Sequence, residues 1–134
     1  DGAEPSGNSV FILALLRLAR LRNRDDFRKS AQRALTTFSG KMQNGGPSLP
    51  QMLVAQMFAS GKPMEIVLAG PREQLDEMLQ AIRKRFLPNA VVLMASESAQ
   101  PMPAVNGLAT AYVCENFACQ LPGTTVAELE KLLQ

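Results

Sequence analysis

Apolar residues recur at helical spacing through the first third of the chain. Over residues 9–21, Val10, Leu13 and Leu16, then Ala14, Leu18 and Leu21, trace neighbouring stripes, and Phe11, Ile12 and Leu15 widen them almost all the way round. Such a helix needs partners on several sides. A second helix is signalled by Asp25 or Asp26 as N-cap, with Phe27, Ala31, Ala34, Leu35 and Phe38 on one face and Gly40 near its end. The short Arg-Asn-Arg connector at residues 22–24 predicts an antiparallel pair. After the Asn-Gly-Gly-Pro loop at residues 44–47, Pro50 suits the first turn of a helix. In that third helix Met52, Leu53, Val54, Ala55, Met57 and Phe58 are too uniformly apolar for an ordinary surface position.

The period then changes. Residues 64–69, Met-Glu-Ile-Val-Leu-Ala, read as a buried strand, Gly70 and Pro71 as a turn, and residues 73–86 as an amphipathic helix with Leu75, Met78, Leu79, Ile82 and Phe86 facing inward. A strand over residues 90–94 closes a βαβ unit, whose right-handed crossover makes the two strands parallel. Residues 95–107, which include Pro101 and Pro103, form a loop to a third strand at residues 110–114. Thr125 stands three residues before Glu128, a capping-box spacing, and Leu129, Leu132 and Leu133 follow on a short helix. The pattern predicts a mixed α/β fold: N-terminal helical hairpins over residues 1–62, then a small βαβ-containing sheet with a C-terminal helix over residues 63–134.

Composition narrows the function classes. A chain of 134 residues that is 46% hydrophobic and 19% charged has the balance of a folded protein, not a disordered tail. The net charge of +2 is small, and Arg17, Arg20, Arg22, Arg24, Arg28, Lys29 and Arg33 read as a solvated helix face, so no nucleic-acid partner is expected. The apolar run over residues 10–16 is far shorter than the ~20 residues of a membrane-spanning helix, so no membrane partner is expected either. Asp1 and Glu4 before that run and Arg17 after it do not fit a signal-peptide core, and a cytoplasmic location is expected. A first residue other than methionine points to a trimmed or processed piece of a longer protein.

Candidate chemistry is sparse. The chain has no histidine, which removes the commonest general acid/base, and two cysteines alone do not make a zinc site. No catalytic residue, metal ligand set or cofactor is assigned. Cys114 and Cys119 are separated by four residues, which is not the two-residue spacing of a redox loop. Packed free thiols come first, beside a structural disulfide and a redox pair; a hairpin turn at residues 115–118 would bring the two Cα atoms within the roughly 4.4 to 7 Å that a disulfide spans. Gly70 and Pro71 sit where α/β proteins hold phosphate, but there is no Gly-x-Gly-x-x-Gly and Pro71 removes an amide donor, so an ordinary tight turn is expected. Asp1, Glu4, Ser6 and Asn8 gather ahead of the first helix, where a sugar-binding or acid/base cleft could be built; capping by Ser6 or Asn8 explains part of the same cluster.

Two segments carry a family resemblance. Residues 1–10, Asp-Gly-Ala-Glu-Pro-Ser-Gly-Asn-Ser-Val, with Leu-Leu-Arg-Leu at 15–18, and residues 109–122, Ala-Thr-Ala-Tyr-Val-Cys-Glu-Asn-Phe-Ala-Cys-Gln-Leu-Pro, resemble the carboxy-terminal region of the YyaL-like, spermatogenesis-associated thioredoxin-domain proteins. Arg85-Phe86-Leu87-Pro88-Asn89 before a strand fits as well. The resemblance implies a much longer polypeptide: a thioredoxin-like domain, an α/α barrel of the six-hairpin glycosidase and sugar-epimerase type, and a small α/β tail. It implies that this chain is a non-catalytic part completing the barrel, with the upstream domains of the same polypeptide as partners and self-association when it stands alone. Two alternatives remain: Asp1, Glu4, Ser6 and Asn8 line a carbohydrate-binding or epimerase-like cleft, or Cys114 and Cys119 form a thiol redox accessory.

Overall fold

In the computed structural model, which describes residues 1–115 and 118–134, the helical spacing of the first third becomes α1 (Gly7–Leu21), α2 (Asp25–Gly45) and α3 (Pro50–Ser60). These build the unit Asp1–Gly61; the remaining residues build a second unit, Lys62–Gln134. Ser6 starts α1 by accepting the Ser9 amide at 3.2 Å on its hydroxyl, which satisfies one of the donors that a helix leaves open. At the other end Asn23 takes a left-handed φ of 48°, a conformation asparagine tolerates, and α2 starts two residues later.

Both boundaries of α2 differ from the sequence expectation. The N-cap of α2 is Arg24, with no side-chain cap, and Asp25 and Asp26 sit in the first turn. Their carboxylates complement the positive end of the helix dipole and pair with neighbouring cations. Gly40 does not stop the helix, which runs on to Gly45; one interior glycine costs only about 1 kcal/mol relative to alanine. α1 packs on both α2 and α3, burying Ile12, Leu13, Leu16, Ala31, Leu35, Met52, Ala55 and Phe58. The breadth of its apolar stripe has a consequence: Val10, Phe11 and Leu18 on α1 and Val54 and Met57 on α3 stay exposed.

The second unit is a mixed sheet carrying helices on one face. Its described strands are β1 (Met64–Ala69), β2 (Ala90–Met94), β3 (Thr110–Glu115) and β4 (Ala118–Cys119), in the order β2-β1-β3-β4. β1 and β2 are parallel, joined through α4 (Arg72–Arg83), and β1 and β3 are antiparallel. Ile66, Leu68, Ala111 and Val113 pack with Leu75, Met78 and Ile82 of α4 and with Leu129 and Leu133 at the α5 helix (Val126–Leu132). The reverse side of the central strand is buried as well, at Val67 and Ala69, which is why residues 66–69 of β1 read as an unbroken apolar run rather than an alternating one.

One core expectation fails. Phe86 is 90% exposed, because α4 ends at Arg83 with Lys84 as its C-cap, and past that point helical spacing no longer aims side chains at the sheet. Leu87 packs against the core in its place. At the β1–α4 turn, Gly70 has a φ of +123°, and a Cβ there would lie 2.8 Å from the Leu108 carbonyl oxygen. Both conformation and space therefore require glycine. The turn is filled by its own chain, with Gln74 Oε1 accepting the Ala109 amide at 3.0 Å.

Candidate functional site

The outer edge of β3 is lined by residues 118–123. Cys114 pairs with Cys119 and Glu115 with Ala118 in antiparallel register. The Gln120 amide donates to the Val113 carbonyl at 3.0 Å, which makes 113/120 a hydrogen-bonded pair and, by alternation, 114/119 a non-hydrogen-bonded one. Non-hydrogen-bonded pairs bring opposed side chains closest. Two residues further along, Ala111 and Gly123 exchange both backbone hydrogen bonds, at 2.8 and 3.0 Å. Between these two pairs β3 has one residue, Tyr112, and the outer segment has two, Leu121 and Pro122. This is a β-bulge, and a proline without an amide hydrogen is tolerated there and on a sheet edge.

The register determines what the cysteines do. Cys114 and Cys119 are disulfide-bonded, with Cα atoms 3.9 Å apart. That is closer than the roughly 4.4 to 6.8 Å usual for disulfides, on the side expected of directly opposed residues in adjacent strands. Packed free thiols, the first of the sequence readings, are not what the structure contains, since neither cysteine is free. Spacing alone does not reveal the bond, because it depends on which residue of the outer segment faces Cys114. Asn116 and Phe117, the centre of the expected hairpin turn, lie outside the described residues.

The two sulfurs have unequal surroundings. Cys114 is 4% exposed and stands on the sheet face that also carries Thr110 and Tyr112, opposite Glu65 of β1. Cys119 is exposed on the outermost strand. The face beneath Cys114 is organised by the chain that precedes β3: the Tyr112 hydroxyl donates to the Pro103 carbonyl at 2.7 Å, and the buried Thr110 hydroxyl accepts the Val105 amide at 2.9 Å. Beyond the bulge the segment is fixed at Gly123, where a Cβ would come within 3.0 Å of Glu128 Cβ. Thr125 and Glu128 form the expected capping box. The Thr124 and Thr125 amides donate to the Glu128 carboxylate and hold its pKa below the usual range.

The residues ahead of α1 are brought together differently. Asp1 Oδ1 accepts the Ser6 amide at 2.8 Å, and Asp1 Oδ2 accepts the amides of Gln51 and Met52 at 2.8 and 3.2 Å. The carboxylate therefore caps α3, whose own N-cap Leu49 supplies no side-chain hydrogen bond. Ser6 is the α1 cap, its hydroxyl 2.8 Å from that of buried Ser9. Asn8 is exposed within the first turn of α1, and Glu4 is exposed ahead of the helix. Sequence reasoning had no signal for Asp1 as the cap of a helix that starts 49 residues away. It also missed Arg85, whose guanidinium donates to the Glu130 and Leu133 carbonyls at 3.3 and 3.5 Å and satisfies the open end of α5. Among the described residues no group of three or more His, Cys, Asp or Glu side chains could hold a metal ion. No described helix is long and apolar enough to cross a membrane.

Fold and site together define a mixed α/β chain of two units, helical and then sheet-containing, whose sheet edge is closed by a disulfide. Its relatives include spermatogenesis-associated protein 20 of Homo sapiens, 36% identical over 146 aligned residues, and the protein of the same name from Rattus norvegicus, 35% identical. An uncharacterised protein of Caenorhabditis elegans is 28% identical. The human match covers 99% of this chain and 19% of the relative, so the chain spans about a fifth of the length of that relative. No family model and no solved structure matches it.

Proposed function

We propose that this chain is the carboxy-terminal, non-catalytic portion of a longer polypeptide, and that its helical unit completes a helical body supplied by the upstream domains. The observation that carries this reading is the outward apolar surface of α1 and α3. Val10, Phe11 and Leu18 share one side of α1, Val54 and Met57 share one side of α3, and all five are exposed. Scattered single apolar residues need no explanation, but stripes on two helices of one unit mark a surface that is normally covered. The relatives' fivefold greater length supports other parts of the same polypeptide as the cover. In this reading the helical body is the α/α barrel that the family resemblance implies, and the protein is cytoplasmic.

The test is a pair of substitutions in the longer polypeptide. Phe11→Asp with Met57→Asp is expected to lower the yield of folded protein and open the chain to limited proteolysis, whereas Gln32→Asp on the exposed side of α2 leaves both unchanged. Equal behaviour of the two variants would remove the proposal. The isolated chain is expected to self-associate in sedimentation velocity through the same residues. The carbohydrate-cleft alternative rests on the exposed Glu4 and Asn8 and on Asp1 and Ser6, whose polar groups are engaged as caps. Sugar binding by the longer polypeptide that survives Glu4→Gln, or no binding at all, removes it.

The bonded cysteines favour a second reading, a thiol redox accessory. Disulfides in reducing compartments are usually transient and redox-linked rather than permanent staples. A cytoplasmic chain with one of the two bonded cysteines exposed on an edge strand fits that pattern. Failure of the bond to open in millimolar glutathione would remove this reading.

A further inference from the structure

The asymmetry between the two sulfurs goes further than the presence of the bond. Thiol–disulfide exchange requires a thiolate to approach one sulfur along the S–S axis, from the side opposite the sulfur that leaves. Here the bond runs between neighbouring strands, and the two approaches are not equivalent. Approach to Cys114 would have to come from the side of β1, where Glu65 stands opposite Cys114 in register and Cys114 itself is 4% exposed. Approach to Cys119 comes from beyond β4, the last described strand of the sheet, where Ala118, Cys119 and Gln120 are all exposed.

We infer that Cys119 is the sulfur at which this bond opens, that Cys114 is the leaving and resolving thiol, and that the co-reactant is a dithiol reductant approaching the open edge of the sheet. The inference rests on the thiol redox reading. One thiolate of the reductant attacks Cys119 Sγ; a new S–S bond forms there, the Cys114–Cys119 bond breaks, and its electron pair leaves on Cys114, which takes a proton. The reductant's second thiol then attacks its own sulfur in the mixed disulfide, closing the reductant to a disulfide and releasing Cys119 as a thiolate that is protonated in turn. Two electrons and two protons pass to the cysteine pair. In the reverse direction Cys114 expels a thiol carried on Cys119.

The structure also shows what holds this segment besides the disulfide. Among the described residues β4 has two ladder pairs with β3, at 114/119 and 115/118, and the adjoining Gln120 amide adds its hydrogen bond to the Val113 carbonyl. The anchor at Gly123 lies beyond the bulge and keeps its two backbone hydrogen bonds without the disulfide. Opening therefore removes the covalent tie between the two strands and leaves the 114/119 and 115/118 ladder pairs, the Gln120–Val113 hydrogen bond and the attachment at Gly123 as what holds residues 118–122 on the edge of β3.

The test uses the native chain with glutathione as the thiol. After brief exposure, acid quenching and peptide mapping, the glutathionyl group is expected on Cys119 in roughly tenfold or greater excess over Cys114, in line with the dependence of thiol reactivity on access. The single variants should agree: with oxidised glutathione, Cys114→Ser leaves a Cys119 that reacts fast, and Cys119→Ser leaves a Cys114 that reacts at least about tenfold more slowly until denaturant equalises them. Glutathionylation of Cys114 in equal or greater amount would overturn the inference and leave the redox reading standing. A bond that stays closed throughout would overturn both.

Discussion

The two units solve the same burial problem in opposite ways. In Lys62–Gln134 the strand residues Ile66, Leu68, Ala111 and Val113 meet helices of their own unit, with Leu75, Met78 and Ile82 from α4, Leu129 from α5 and Leu133 just past its end closing one face of the sheet. In Asp1–Gly61 the helices bury one side against each other, while α1 and α3 keep apolar residues on the side turned away. α2 shows that the difference is specific. Its exposed positions include Arg28, Lys29, Gln32, Arg33, Thr36 and Thr37 and no large apolar residue, the ordinary composition of a solvated face. Amphipathicity thus separates α2, whose outward face is polar, from α1 and α3, whose outward faces keep apolar residues.

The comparison can be broken first in the cores. Leu68→Ala in β1 is expected to cost about 2–5 kcal/mol in denaturant unfolding, because Leu68 is fully buried between the helices and the sheet. Phe11→Ala is expected to change the stability of the isolated chain by no more than about 0.5 kcal/mol. A large loss at Phe11 would mean that its ring is already partnered, and the contrast would fall. Next in size is Cys119→Ser, expected to cost roughly 2 kcal/mol because it releases a short closed loop; no loss would show that the edge segment is held by Gly123 and the capping box alone.

A smaller effect separates the units at their helix caps. Asp1→Ala removes the acceptor for the Gln51 and Met52 amides and is expected to cost about 0.5–2 kcal/mol, with hydrogen exchange rising first in the opening turn of α3. An unchanged exchange rate there would mean that water replaces the carboxylate at no cost. Smallest is the acid response. The Arg24 guanidinium lowers the Asp26 carboxyl to about 2; Lys29 and then Arg28 lower Asp25, and backbone amides lower Glu128. A lowered folded-state pKa contributes stability above the unfolded value of about 4 and loses it as pH falls through the folded one. Melting temperature should hold above about pH 5 and fall between about pH 4 and pH 2, and Asp26→Asn should narrow that fall only slightly, since the pair is exposed.

Much of this architecture was legible because it is local. The period change after residue 62, the strands at 64–69 and 90–94 and the capping box at Thr125 and Glu128 each rest on neighbouring residues, and the surplus of apolar positions in α1 and α3 could be counted directly. What stayed hidden depends on residues far apart in sequence or on register. Asp1 reaches α3 from 50 and 51 residues away, and the cysteine pairing turns on the alignment at 113/120 and the bulge at Leu121 and Pro122. Phe86 and Gly40 misled for a local reason: periodicity does not reveal where a helix stops when tertiary contacts can carry it past a glycine or end it before an aromatic residue.

The most direct measurement is methionine oxidation followed by mass spectrometry, on the isolated chain and on the longer polypeptide. Met57 is 63% exposed in an outward stripe, and Met52 and Met78, at 1% and 2%, serve as buried references. Met57 is expected to oxidise readily in the isolated chain and to be protected about tenfold or more in the longer polypeptide, as removal from solvent requires, while Met52 and Met78 stay protected in both. Equal oxidation of Met57 in the two forms would contradict the account, for it would leave the outward stripe of α3 facing water in the whole protein.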